Sequence, residues 1–588
     1  MDSQERPSSQ EGRENKPLVG DTRSIHSCPR LSDGTKSLIR LLFVLALERS
    51  AFYSVFMTIA DFSENYLQFS STSSTVTNFV FSGSVFLVAP LFGILTDRKT
   101  GYIPTLVGAL TFYVTGSCLL IYAAARTVSG NTRETTDMSL RSVTAVYFTG
   151  IAVISLSASA VRSGLLPFMV EQLSDGHAKR NTLMAFCSWA YLLINVAATV
   201  TLIPSSYIWE YRGFKKSRGV YSSGFVWLYL MSLCYLLLCL AILVIWKNSY
   251  NDRQLRTHSV AVPSILDIMR TACGCYRDSA RPLYYDPDAL PVRNEEDRIQ
   301  YDRGIERKKL AVLVPVLATM IIYFASYTQL RSSFREQGEH LFIGTGTVKE
   351  QSSNCSSLPR HVSFLTSPAV TDTFGGVSVV VVLLAMPTII RPLYEKYSNK
   401  ELTIMTRIHW GMIFSLLASM CATILEAVRF HRSSFNVQCV RIGVTYHLRV
   451  YSSLSIFWQI PQYSLMGIST ALAAVAAMEF VLSRAPGRFR CTAFGCFWVT
   501  VGIGNYIGLF VYSTMKKLGL YFTSPEITEG QRRVDKSDLT QTSRAWAFYL
   551  IFTVLLTGNL IVFVWIKYRH RDIQKVERDE PYTMASPI

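Results

Sequence analysis

Glu48 and Arg49 stand side by side in "LFVLALERSAFYSVFMTIA" (42–60), an otherwise apolar run long enough to cross a bilayer. A carboxylate next to a guanidinium at that depth is expensive, and ionisable groups there mark substrate or ion paths by default. At the α-helical repeat, Leu45, Glu48, Arg49, Phe52 and Tyr53 fall on one stripe. A polar seam with aromatics beside it suits a cavity between helices better than it suits lipid. The other reading of the pair is an internal salt bridge that only holds helices together. A second cation, Arg162, lies in "SASAVRSGLLPFMVEQL", and an amide, Asn195, lies in the aromatic-rich "FCSWAYLLINVAATV". Placed together, these groups make a polar cleft. Two guanidinium groups against one carboxylate leave it net positive, which favours an anion or a carboxylate.

The elements that would position these residues are membrane helices. Of 588 residues, 49% are hydrophobic, 12% aromatic and only 17% charged. The charges cluster and leave apolar windows of about 20 residues, the length a helix needs to span the hydrocarbon core. Twelve spans are expected, at 38–60, 76–96, 103–125, 143–170, 183–203, 225–246, 309–330, 374–395, 404–427, 453–483, 491–515 and 545–567. The interval 247–308 is polar and carries eleven Lys and Arg residues. Six plus six helices around such a loop is the layout of the major facilitator superfamily, an all-α polytopic fold of two six-helix bundles. The expected organisation is a tail at 1–37, a bundle at 38–246, a linker at 247–308, a second bundle at 309–567 and a tail at 568–588.

An even helix count puts both termini on one side, and a modest excess of Lys and Arg assigns that side to the cytoplasm. The first external loop, 61–75, holds Asp61 and Glu64 and no Lys or Arg. Asn354-Cys355-Ser356 is a glycosylation sequon in the loop expected outside between spans seven and eight. Cys355 and Cys439 both fall outside and could pair. The polar N-terminal segment has no cleavable apolar leader, so the first span is expected to serve as the targeting signal.

"GILTDRKTG" (93–101) joins the second and third spans. Gly93 permits close helix approach. Asp97 can cap the next helix or pair across the two halves, and Arg98 adds to the basic cluster of the turn. Together they fit a gating loop that restrains one end state of a rocking cycle. A plain turn with a positive-inside cluster is the blander reading.

Five ordered segments carry a family resemblance that runs through nearly all twelve helices. "LALERSAFY" resembles the helix-1 signature of the proton-dependent oligopeptide transporters, Glu-x-x-Glu-Arg-Phe-x-Tyr-Tyr. "AVRSGLLPFMVEQL" resembles their helix-4 segment, and "FCSWAYLLINVAA" is similar to their Phe-Phe-x-x-Phe-Tyr-x-x-Ile-Asn-x-Gly. "QIPQYSLMGISTALAAVAAMEFVLSRAPGRFR" resembles their helix 10 and the loop after it, and "TVGIGN" (500–505) continues the match. Within that family the segments resemble those of solute carrier family 15, with Asn78 in helix 2 and arginine in helix 4.

The resemblance implies a twelve-helix secondary transporter that alternates access around a midplane site. In the family, the helix-1 arginine and a helix-4 lysine hold the peptide carboxylate. The helix-1 glutamates couple the cycle to protons, and a helix-10 glutamate receives the peptide amine. Arg49 matches the first of these, Arg162 replaces the lysine, and Glu48 matches the second glutamate as the candidate proton-coupling group. Tyr53 and Asn195 match polar positions lining the site.

Three departures stand out. Leu45 takes the place of the first glutamate, Thr470 that of the helix-10 glutamate, and Ser326 a position that is acidic in some members. No histidine occurs between His26 and His177, so the helix-2 histidine of the animal peptide transporters is missing too. The carboxylate end of the site is therefore expected to survive, with amine recognition and proton coupling altered.

The remaining features have blander readings. Net charge is +17, but the basic residues fall in tails and loops with no stripe of interleaved aromatics, which argues against nucleic acid. Most of the twelve cysteines lie inside apolar segments, and "CGC" (273–275) has no partner ligands, so no metal or other cofactor is expected. No nucleotide loop or nucleophile–base pair appears, and no enzyme activity is expected. Glu479, Arg484 and Arg488 read as structural or gating groups, Arg407 and His409 as interfacial anchors, and Glu426 as a snorkelling side chain.

The expected function is secondary active transport of a di- or tripeptide or another carboxylate-bearing solute, with protons as a candidate co-substrate, in the plasma membrane or endolysosomes. The alternatives are a proton-independent organic-anion facilitator or exchanger, and a non-transporting scaffold or sensor acting through tails such as "RDIQKVERDEPYTMASPI".

Overall fold

The computed structural model describes residues 33–129, 137–173, 180–212, 224–250, 295–342, 369–432, 435–442, 445–521 and 545–569. Twelve helices within these residues are long and apolar enough to cross a membrane. In order they are Gly34–Glu64, Ser73–Thr100, Tyr102–Arg126, Leu140–Leu173, Thr182–Thr201, Gly224–Ile245, Glu306–Gly338, Thr373–Ser398, Ile404–His431, Ile456–Arg484, Gly487–Lys517 and Ala545–Tyr568. Each coincides with a span expected from sequence. A helix satisfies all its backbone polar groups internally, which is why runs of this composition can fold no other way in lipid.

Several spans are not straight, and local chemistry accounts for the breaks. In the first, the Thr58 hydroxyl donates back to the Val55 carbonyl at 2.8 Å, and the helix interrupts between Phe56 and Ile59. The second breaks after Leu87, where Pro90 enters the next turn, and ends in a π-turn at Thr96–Thr100. Gly101, at φ 77°, then reverses the chain into the third span. The eighth span, the second of its half, carries a matching π-turn at Met386–Ile390 around Pro387.

The spans form two six-helix bundles. In the first, spans one, three, four and six pack together; in the second, seven, nine, ten and twelve do. The second and eleventh spans lie against one another across the bundles, and the fifth meets the eighth and tenth. A buried apolar core runs through both bundles and includes Val85 and Phe81 of the second span with Phe494 and Phe497 of the eleventh. The tenth span is the most enclosed of the twelve described spans. The one departure from an all-α chain among the described residues is a hairpin before it, β1 (Phe435–Ile442) paired antiparallel with β2 (Thr445–Ser452). Cys439 lies on β1 opposite Leu448. Asn354 and Cys355 lie outside the described residues, as do residues 1–32 and 570–588 of the tails and 251–294 of the linker.

Candidate functional site

The stripe on the first span is buried as its spacing predicts. Leu45 is 1% exposed, Glu48 0%, Arg49 6% and Phe52 4%. Arg49 Nε lies 2.7 Å from Glu48 Oε2. Adjacent residues on a helix diverge, and this contact lacks the alignment of a hydrogen bond, so both Glu48 oxygens and Arg49 Nε remain without one.

Arg162 joins them from the fourth span, 4% exposed. Its guanidinium lies 4.0 Å from the Phe52 ring centroid, 4.7 Å from Phe86 and 5.9 Å from Trp498. Rings facing a guanidinium stabilise its charge through their quadrupoles but accept no hydrogen bonds. Arg162 Nε and Nη1 accordingly have no partner. Tyr53 is half-buried and meets Phe52 edge-on at 5.7 Å. Asn195 is half-buried on the fifth span, and its amide donates to its own helix at the Tyr191 carbonyl, 2.8 Å away.

The second bundle offers no matching carboxylate at the anticipated positions. Thr470 is buried, and its hydroxyl donates to the Met466 carbonyl at 2.8 Å. Ser326 is fully buried with an unpartnered hydroxyl. The buried carboxylates of the ninth and tenth spans are engaged elsewhere. Glu479 receives Arg407 Nη1 at 2.5 Å, with both side chains 1% exposed. Glu426 pairs with Arg429 at 2.6 Å and accepts from Gln337 Nε2 at 3.0 Å. Two expectations are corrected here. Arg407 does not anchor at an interface, because its counter-ion is Glu479 of the tenth span, and Glu426 does not snorkel to water, because Arg429 one turn on in its own span and Gln337 of the seventh hold it inside the bundle.

The turn between the second and third spans ties the bundles together at one end. Gly93 lies against the start of the eleventh span, where an added Cβ would sit 2.5 Å from the Cys491 carbonyl oxygen. Asp97 accepts from the backbone N–H of Thr492 at 2.7 Å, from its hydroxyl at 2.7 Å and from the N–H of Cys491 at 3.3 Å. A carboxylate there satisfies the orphan donors of the first turn and complements the helix dipole. Of the two roles open to Asp97, pairing across the halves is the one adopted. Arg98 is exposed. At the same end Glu171 of the fourth span forms an ion pair with Arg490 of the eleventh.

Two contributors to the cage around Arg162 escape sequence reasoning: Phe86 and Trp498. Trp498 also donates its indole N–H to the Arg162 carbonyl at 3.1 Å, bridging the two bundles directly beneath the cationic group. No periodicity within one helix signals a ring supplied by another.

Two six-helix bundles packed around a buried, charged cluster and tied at one end by a short charged turn have the architecture of a secondary membrane transporter of the major facilitator type. A family model described as "PTR2: POT family" matches residues 104–525. The chain belongs to the POT family. Solute carrier family 15 member 3 of Mus musculus is 24% identical over 90% of this chain and 90% of its own length. Protein NRT1/PTR FAMILY 8.1 of Arabidopsis thaliana is 23% identical over 95% of this chain and 98% of its own. Among solved structures, an auto-inhibited POT family peptide transporter superposes with a TM-score of 0.58 at 14% identity, covering 91% of this chain and 97% of that one. A POT family transporter in complex with a thioalcohol-conjugated peptide gives 0.59 at 13%, with 91% and 97% covered.

Proposed function

We propose that this chain is an alternating-access carrier for di- or tripeptides or other solutes bearing a carboxylate, with Arg49 and Arg162 as the carboxylate-binding pair. The unmatched nitrogens of Arg162, buried in an aromatic cage beside Arg49, carry this reading. Tyr53 and Asn195 line the same cleft, and Glu48 is the remaining candidate for proton coupling. The bundles 38–246 and 309–567 rock against each other, joined by the linker 247–308, with the tails 1–37 and 568–588 in the cytoplasm. Gly93, Asp97 and Arg98 form the turn that gates the cytoplasmic end. A structure of a POT family transporter in complex with 5-aminolevulinic acid supports a carboxylate-bearing substrate class. The membrane is the plasma membrane or that of endolysosomes.

Leu45, Thr470 and Ser326 favour a second reading of the same site, a facilitator or exchanger of organic anions that runs without protons. They leave the amine end uncharged and remove the carboxylate nearest Glu48 on its stripe. Uptake of labelled dipeptides, N-acetylated dipeptides and monocarboxylates into proteoliposomes, with and without a proton gradient, separates the two. Anion uptake that persists without the gradient and is lost in Arg49→Ala and Arg162→Ala is the expected result. Strong uptake of zwitterionic dipeptides that collapses with the gradient would refute the altered coupling. The double variant Leu45→Glu/Thr470→Glu is expected to gain gradient dependence.

A further inference from the structure

Trp498 is attached to Arg162 twice. Its indole N–H donates to the Arg162 carbonyl at 3.1 Å, and its ring centroid lies 5.9 Å from the Arg162 guanidinium. The same indole stacks on Phe86 at 5.2 Å and 16°, and the Phe86 ring is itself 4.7 Å from the guanidinium. Arg162 and Phe86 belong to the first bundle and Trp498 to the second, so a residue of the candidate site itself ties the bundles together. Pro167, inside the fourth span, has no N–H to give the Ser163 carbonyl. The backbone ladder is thus already incomplete one residue from the carbonyl that the indole reaches.

The other ties on this side of the cleft lie farther from the site. Glu171, paired with Arg490, follows Arg162 by nine residues, about 13 Å along the helix. Thr492, which holds Asp97, precedes Trp498 by six, about 9 Å.

We propose that Trp498 is an inner latch on the Asp97 end of the cleft, set by Arg162 and released when a substrate carboxylate takes the guanidinium. This rests on the carboxylate-binding reading given above. Aromatic rings attract a guanidinium through their quadrupoles but leave its N–H donors without acceptors. A carboxylate supplies them, in charge-assisted bonds, and Arg162 Nε and Nη1 are buried donors with no partner. Engaging them neutralises the charge that the rings face and draws the guanidinium away from the Phe86–Trp498 stack. Trp498 then keeps only its neutral bond to the Arg162 carbonyl, and the Asp97 end loosens. Trp498 is a positioning residue: it relays occupancy of the site to the gate and does not touch substrate.

Reciprocity gives the sign of the test. If binding releases the latch, removing the latch tightens binding by the same factor. Trp498→Phe keeps an aromatic ring and deletes the N–H, and one neutral hydrogen bond shifts an equilibrium by about 2- to 12-fold. The full chain in nanodiscs is alkylated with N-ethylmaleimide at Cys491, which is 0% exposed and donates its backbone N–H to Asp97. Without ligand, Trp498→Phe is expected to speed that reaction by about 2- to 12-fold, while Cys239 inside the first bundle stays protected. Affinity for N-acetyl-alanyl-alanine is expected to rise by a similar factor, whereas truncating a side chain that touches substrate lowers it. In wild type the same peptide is expected to speed Cys491 alkylation.

In a folded Trp498→Phe protein, unchanged alkylation overturns the proposal, and so does binding that is unchanged or weaker. Where Trp498→Phe folds poorly, wild type decides: a peptide that binds without changing the Cys491 rate overturns it. If N-acetyl-alanyl-alanine, alanyl-alanine and lactate all fail to bind wild type, the carboxylate reading falls and the release step with it, even where ligand-free Trp498→Phe alkylates faster.

Discussion

Asp97→Asn should open the end of the transporter that Asp97 now holds shut. The carboxylate receives three donors from Cys491 and Thr492 across the bundle interface. Asparagine is nearly the same size but presents an NH2 group to at least one of those N–H donors, so one charge-assisted bond is lost and one donor is stranded. Hydrogen bonds to charged groups contribute about 1.5–3 kcal/mol. On the gating role proposed for this turn, the contact is broken when this end opens, so the whole loss falls on the closed state. It moves the closed-to-open ratio by about 10- to 150-fold.

Cys491 provides the assay, since it is 0% exposed and lies in the same contact. Its alkylation by N-ethylmaleimide, followed by mass spectrometry, should accelerate in Asp97→Asn. Cys239, fully buried inside the first bundle, should stay protected and so distinguishes opening from unfolding. An unchanged rate at Cys491 in a folded Asp97→Asn protein would refute the role assigned to this turn.

Other expectations follow from the same packing. Gly93→Val should abolish uptake while expression persists, because a Cβ 2.5 Å from the Cys491 carbonyl prevents closure of that end; normal uptake would contradict this. Arg407→Ala should lower stability by about 3–5 kcal/mol by stranding Glu479 inside the second bundle. Arg407→Met combined with Glu479→Leu should recover most of that loss in thermal unfolding, since replacing both charges leaves nothing unpaired.

Much of the molecule is legible in its sequence. Apolar runs interrupted by charged loops located all twelve spans, because a membrane helix must be continuous, apolar and of a set length. The stripe through Glu48 and Arg49 was legible for a related reason: one helix with one repeat puts those residues on one face, and an ion pair in lipid has to find an interior. Leu45 and Thr470 were legible as departures only against the resembled signature. The π-turns in the second and eighth spans were less visible, for a proline marks a break without specifying how the helix resumes.

What lay beyond sequence reasoning is whatever joins residues of different helices. Asp97 could have capped its own next helix, and only the approach of the second span to the eleventh, through Gly93, directs it to Thr492. Arg407 and Glu426 looked interfacial because each sits near the end of a span. Their burial depends on Glu479 from another helix in one case, and on Gln337 together with the neighbouring Arg429 in the other. The aromatic cage of Arg162 draws on three other spans. Helix periodicity is a local property and is written along the chain. Pairing between helices depends on their rotation and depth relative to one another, and packing alone sets these.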